Sequence, residues 1–336
     1  MIQQTLPRLL DGQALSRAEM AEVMSEIADG AATPAQVGAF LAALRLKGET
    51  VDEIAGAAEV MRARVERVHV AAKVFVDTCG TGGDGRNTFN ISTAAAFVVA
   101  GAGVTVAKHG NRAVSSRAGS ADVLAALGVD VDASVASVER CIAEVGIGFL
   151  FAARLHPAFK AVAGIRRELG VRTIFNLLGP LANPAGARHQ VMGVYEPRWV
   201  PILGGVLATL GAVHAFVVHG DGLDEISVTG MTHVAEVKDG AVERYCVLPE
   251  DLGLPRHAEV EIAGGDAVRN AAILRDVLAG QRGAPRDAVL ATASAALVCT
   301  GAAGDLKAGV VLAAEAIDRG AAAEKLRRLV EASQRA

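Results

Sequence analysis

The sequence predicts an α/β protein, with a small N-terminal helical domain ahead of a larger domain built on a mainly parallel sheet. Three observations carry this: capped amphipathic helices over the first seventy residues, short β-branched runs alternating with helix-length segments from Val74 onward, and glycine clusters where several of those runs end. At 336 residues the chain exceeds the roughly 100 to 200 residues of a usual single domain. A division into residues 1–72 (helical) and 73–336 (α/β) is expected, with 155–185 returning to the helical domain.

The helical stretch is read from its start signals. Ser16-x-x-Glu19, Thr33-Pro34-x-Gln36 and Thr50-x-x-Glu53 each fit a capping box, and Gly30 and Gly48 supply stops. Met20, Val23, Met24 and Ile27, then Val37, Phe40, Leu41 and Leu44, recur at three- and four-residue steps, so each helix has one apolar stripe.

The strands expected next are Val74–Val76, Val104–Ala107, Gly148–Phe151, Gln190–Tyr195 and Ala215–His219. Residues 153–185 break the rhythm with a helix from His156-Pro157 to Leu169 and an apolar loop, Phe175 to Pro184. The alternation at His233–Val237 and Val242–Val247 predicts an antiparallel hairpin, and three Ala-rich helices are expected to fill the C-terminus.

Composition excludes several classes. Lys+Arg 33 against Asp+Glu 37 gives net −4 with no block of like charge, which argues against a nucleic-acid or membrane surface. Mean hydropathy is +0.35, but no apolar run reaches the 18 or so residues of a membrane span. The start, MIQQTLPRLLDG, does not read as a signal peptide, and a cytoplasmic location is expected. Cys79, Cys141, Cys246 and Cys299 are scattered, with no zinc or disulfide spacing.

Chemistry concentrates in three segments. Gly80-Thr-Gly-Gly-Asp-Gly85 follows a strand and leads through Asn90-Ile-Ser-Thr93, read as the N-cap region, into a helix expected over Ala94–Ala100. Free N–H groups at such a turn and helix start suit a phosphate. A P-loop would need Lys-Ser/Thr where this chain has Arg86-Asn87. A dinucleotide fold would need an acid about 20 residues on, where the next strand ends at Lys108-His109 instead. The second segment, Lys108-His-Gly-Asn-Arg112 through Ser115, Ser116, Arg117, Ser120 and Asp122, opens on the same sheet edge and is rich in anion-binding groups. The third, Gly220-Asp-Gly-Leu-Asp224-Glu225, offers adjacent carboxylates for Mg²⁺ beside phosphates. An acidic turn is common on any surface; its position opposite the basic loop gives it meaning.

Together with Asn176-x-x-Gly179-Pro180, these residues resemble the anthranilate phosphoribosyltransferases of tryptophan biosynthesis over nearly the whole chain. The resemblance implies a fold of the nucleoside phosphorylase/phosphoribosyltransferase type with a hinge between the domains, and a homodimer through the helical domain. The implied reaction is transfer of phosphoribose from phosphoribosyl pyrophosphate to the amine of anthranilate. It places the donor on Gly80, Gly83, Asp84, Thr88, Asn90, Ile91, Ser92, Thr93, Lys108, Ser115, Ser116 and Ser120. Anthranilate falls to Gly80, His109, Asn111, His156, Arg166, Gly179 and Pro180. Magnesium, as two ions with substrate bound, falls to Ser92, Asp224 and Glu225, and Lys108 and His109 are the candidate catalytic groups. His109 either orients the acceptor, takes a proton briefly, or is structural; His214 and His219 read as ordinary strand residues. Two rivals are a pyrimidine nucleoside phosphorylase, which the Lys-His-Gly-Asn-Arg segment opposes, and a non-catalytic nucleic-acid binder, which the charge balance opposes.

Overall fold

The computed structural model describes residues 1–113 and 117–335. Four helices open the chain: α1 (Ile2–Leu10), α2 (Arg17–Ala28), α3 (Pro34–Lys47) and α4 (Val51–Ala63). All three expected capping boxes form, each side chain taking the N3 backbone N–H while Glu or Gln returns to the cap. Both predicted apolar stripes are buried.

Seven strands form one sheet: β1 (Phe75–Gly80), β2 (Thr105–Gly110), β3 (Ile147–Phe151), β4 (His189–Gly193), β5 (His214–Gly220), β6 (Thr232–Lys238) and β7 (Ala241–Val247). Their order is β3-β2-β1-β4-β5-β6-β7. The first five are parallel, and β6 and β7 add the antiparallel hairpin. β1 and β2 extend well past the expected ends at Val76 and Ala107 because their buried polar residues are satisfied internally. Asp77 accepts from His109 N (3.0 Å) and Asn183 Nδ2 (2.8 Å), for example.

The remaining helices are α5 (Ile91–Gly101), α6 (Ser120–Ala126), α7 (Val135–Val145), α8 (Ala152–Leu155), α9 (Lys160–Leu169), α10 (Phe175–Leu181), α11 (Trp199–Thr209), α12 (Ala267–Leu278), α13 (Ala284–Cys299), α14 (Leu306–Asp318) and α15 (Ala321–Ser333). Four of these expectations change. The helix expected from Ala94 begins at Ile91. The helix expected from His156 starts as a 3-10 turn, Pro157–Phe159, before α9. The apolar "loop" from Phe175 is largely α10, started by Thr173 N donating to Asn176 Oδ1 (3.0 Å) and short enough to contain Pro180. Four helices, not three, fill the C-terminus, since Gly280 and Gly283 separate α12 from α13.

One apolar cluster joins α5, α7 and α12–α15 to one face of the sheet. A second runs from α1–α4 through α9–α11 onto the other face at Met192, Val194, Val217, Ala235 and Val237. Helices α9 and α10 pack on α3 and α4, so the segment after β3 sits with the N-terminal helices.

Candidate active site

Strands β2 and β3 lie on one side of β1, and β4 and β5 on the other. The carboxyl ends of β1 and β4 therefore border a switch in strand order, where open α/β sheets bind ligands. At this crevice Thr81 N donates to Gly193 O (2.9 Å) and Gly82 N to Asp224 Oδ2 (2.7 Å). Gly82, Gly83 and Gly85 have φ of 65°, 82° and 77°, which L side chains avoid. The N–H groups of Gly83 and Asp84 have no acceptor among the described residues. A Cβ on Gly80 would strike the Asp224 carboxylate, and one on Gly193 the Asp224 backbone, so both glycines admit the acidic turn to the sheet edge.

That turn carries two acids that are only partly exposed. Glu225 accepts from Ser92 N (3.0 Å) and Thr292 Oγ1 (3.1 Å), and each oxygen keeps a lone pair for a further partner. Burial, then the neighbouring Asp224 charge, pushes Glu225 up to about 8. Asp224 is raised too, by burial and by Asp84, whose Oδ2 is itself buried with no hydrogen-bond partner among the described residues. Such hard, crowded oxygens suit a divalent cation. Among the described residues no three His, Cys, Asp or Glu converge on one point, so further oxygens would have to come from a ligand.

Lys108, 3% exposed, turns inward. Its ammonium donates to Thr78 O and lies 3.5 Å from Ser92 Oγ, which leaves one N–H uncommitted. Burial lowers its pKa against the opposing pull of Asp77, Cys79 and Glu225.

The expectation of free N–H groups at the helix start is corrected in part. Glu225 takes Ser92 N, and Asn90 makes no side-chain cap bond. Instead Asn90 Nδ2 donates to Ala118 O (3.3 Å) while its Oδ1 accepts from Asn270 Nδ2 (2.9 Å), tying the β1–α5 and β2–α6 connections together. Ile91 and Thr93 are buried, and the Thr93 hydroxyl has no hydrogen-bond partner among the described residues. Thr88 bridges to Ala263. Ser120 Oγ donates to Asn111 O (3.3 Å). Ser115 and Ser116 lie outside the described residues.

On the other flank two histidines are held neutral. His109 Nδ1 lies 3.1 Å from Gly179 O, and His109 Nε2 lies 3.2 Å from His156 Nε2. A carbonyl only accepts, so His109 carries its proton on Nδ1 and His156 donates from Nε2. The His156 Nδ1 lone pair is then buried with no partner among the described residues. Burial, then the adjacent ring, lowers His109 to about 3, and burial lowers His156 to about 4. Pro180 O accepts from Gln190 Nε2 (2.7 Å). Arg166 stacks on Phe175, 5.4 Å from the ring centre, with no ion pair among the described residues and a pKa lowered by burial. His214 and His219 bond within the sheet region, to Glu236 and Val194 O.

The fold thus unites Gly80, Asp84, Ser92, Lys108, Asp224 and Glu225 in one cluster and His109, His156 and Gly179 in another, while Thr88 and Arg166 stand apart from both. Thr292, Asn183 and Arg172 were not anticipated. Thr292 lies in an Ala-rich helix without a motif, and Arg172 is one of several arginines in its segment.

A model described as the glycosyl transferase family helical bundle domain matches residues 3–65, and one described as the a/b domain of that family matches 72–323. An anthranilate phosphoribosyltransferase of an Anaeromyxobacter species is 80% identical over 330 residues, covering 98% of each chain. The chain belongs to the anthranilate phosphoribosyltransferase family. Among solved structures, the family member from Thermus thermophilus superposes with a TM-score of 0.94 at 44% identity, covering 98% of this chain and 99% of that one. The member from Saccharomyces cerevisiae, in complex with PRPP and Mg, gives 0.89 at 29% identity over 99% and 97%. The boundary between the two family models falls in the connection between α4 and β1.

Proposed function

We propose that this chain transfers the phosphoribosyl group of 5-phosphoribosyl 1-pyrophosphate (PRPP) to the amine of anthranilate, giving N-(5-phosphoribosyl)anthranilate and pyrophosphate, the second step of tryptophan synthesis from chorismate. The observation that carries this reading is the pair of uncommitted N–H groups at Gly83 and Asp84 beside the crowded Asp224–Glu225 pair, at the switch in strand order.

Breaking the bond from ribose C1 to pyrophosphate builds negative charge on the leaving group, so catalysis is mostly positioning and electrostatics. Gly80, Gly83, Asp84, Thr88, Asn90, Ile91, Ser92, Thr93, Ser115, Ser116 and Ser120 are assigned to the donor. Lys108 balances Glu225 and offers its remaining N–H toward the leaving group. The yeast relative was captured with PRPP and Mg. The crowded acids here fit the same ion, with Ser92, Asp224 and Glu225 as its protein ligands and two ions proposed when substrate is bound. Magnesium held there supplies charge neutralisation for the pyrophosphate.

Anthranilate is assigned to Gly80, His109, Asn111, His156, Gly179 and Pro180, with Arg166 for its carboxylate, because a guanidinium meets a carboxylate in a two-bond fork. Its amine has a free lone pair at neutral pH, so no strong base is required. The neutral His109–His156 pair therefore positions the ring and does not compete with it for charge. A homodimer through the helical domain would cover Leu10 and Leu46, 69% and 85% exposed there. Cytoplasmic placement suits a step between two anionic metabolites. Among the described residues no helix is long and apolar enough to cross a membrane.

Mixing the purified protein with anthranilate, PRPP and Mg²⁺ should extinguish anthranilate fluorescence with release of pyrophosphate. Persistent fluorescence under conditions where a known family member turns over would overturn the assignment.

A further inference from the structure

We infer that Arg172 is a positioning residue that aims the Asp84 N–H at the pyrophosphate; this rests on the donor reading above. Arg172 lies between α9 and α10, in the segment packed with the N-terminal helices, and its own carbonyl accepts from Arg45 of α3. Its side chain crosses to the donor loop, where Nη2 donates to Gly83 O. The guanidinium lies 4.1 Å over the Tyr195 ring, and Nη1 sits 3.4 Å from Glu196 Oε1, so both sides of the fork are held by the exit of β4.

The consequence follows from peptide geometry. In a trans peptide the C=O and the following N–H point in opposite directions across one plane. Fixing Gly83 O against Arg172 therefore fixes the Asp84 N–H on the far side of that plane, and that N–H has no acceptor among the described residues. Gly83, at φ 82°, is in a region where glycine moves freely, so without a holder this peptide would rotate at little cost. The first half of the loop is already pinned, since Thr81 N donates to Gly193 O (2.9 Å) and Thr81 Oγ1 accepts from Tyr195 N (3.2 Å). Arg172 holds the peptide between Gly83 and Asp84, further along the loop, and it does so from the acceptor side of the crevice. It touches neither reacting atom and acts through the loop.

The test is calorimetric binding of PRPP with Mg²⁺, without anthranilate, to the native chain and to Arg172→Met, which keeps an unbranched stem over Tyr195 and removes every donor. Arg172→Gln, which keeps a neutral donor, is the second variant. Arg172→Met should weaken PRPP roughly tenfold and Arg172→Gln roughly threefold, as expected for losing a charge-assisted bond and for weakening it, while KM for anthranilate stays within about twofold. Native PRPP affinity in whichever variant folds overturns the inference, as does equal weakening of both substrates. Failure of the native chain to bind PRPP sinks the donor reading itself and is told apart by the native control.

Discussion

The two flanks of the crevice are built from opposite materials. The donor flank gathers Asp84, Asp224, Glu225 and Lys108 around glycine backbone, with Asp224 and Glu225 raised by burial and by a neighbouring carboxylate. The acceptor flank sets two neutral histidines against the carbonyl of Gly179, with Arg166 set apart over Phe175. One flank is poised for charge that develops during reaction, the other for a flat ring bearing a single carboxylate. Their separation is what lets a leaving group and an incoming amine be handled by different physics within one cleft.

Variants that alter one flank should reveal the division. The largest effect is expected from Glu225→Gln, which removes a carboxylate assigned to the magnesium beside the leaving group. It should lower kcat/KM for PRPP by about 10² to 10³, the scale of losing one transition-state electrostatic contact, with KM for anthranilate little changed in steady-state kinetics. Arg166→Ala should be the mirror image, raising KM for anthranilate roughly tenfold while KM for PRPP stays put; equal weakening of both would merge the flanks.

The smallest effect concerns pH. His109 and His156 are held below 6.5 in the fold, so between about pH 6.5 and 4 the unfolded chain binds more protons. Stability is unpenalised above that window and is lost as pH falls through it, by about 3 kcal/mol per histidine. His156→Gln should flatten the decline of Tm between pH 6.5 and 4. An unchanged slope would mean that the pair is not buried neutral.

The flanks also differed in how legible they were. The donor flank is written contiguously: glycines needing positive φ, hydroxyls at a helix start and paired acids each signal chemistry by residue type and spacing. Even there the sequence did not show that Glu225 would occupy the Ser92 N–H, or that Lys108 would face inward, since both depend on partners more than a hundred or tens of residues away. The acceptor flank joins His109, from the cationic segment after β2, to His156 and Gly179 from two segments without a local signature, and only the family resemblance grouped the three. Capping boxes and apolar stripes fixed the first helices because their signals are local. The Phe175 segment misread as loop because Asn176, reaching back to Thr173, outweighed Gly179 and Pro180.

The most direct test of the division is calorimetric titration of PRPP with Mg²⁺ into the native, Glu225→Gln and His156→Gln proteins. The account predicts at least a roughly tenfold loss of affinity in Glu225→Gln and native affinity in His156→Gln. Equal losses in both, or full affinity in Glu225→Gln, would contradict it.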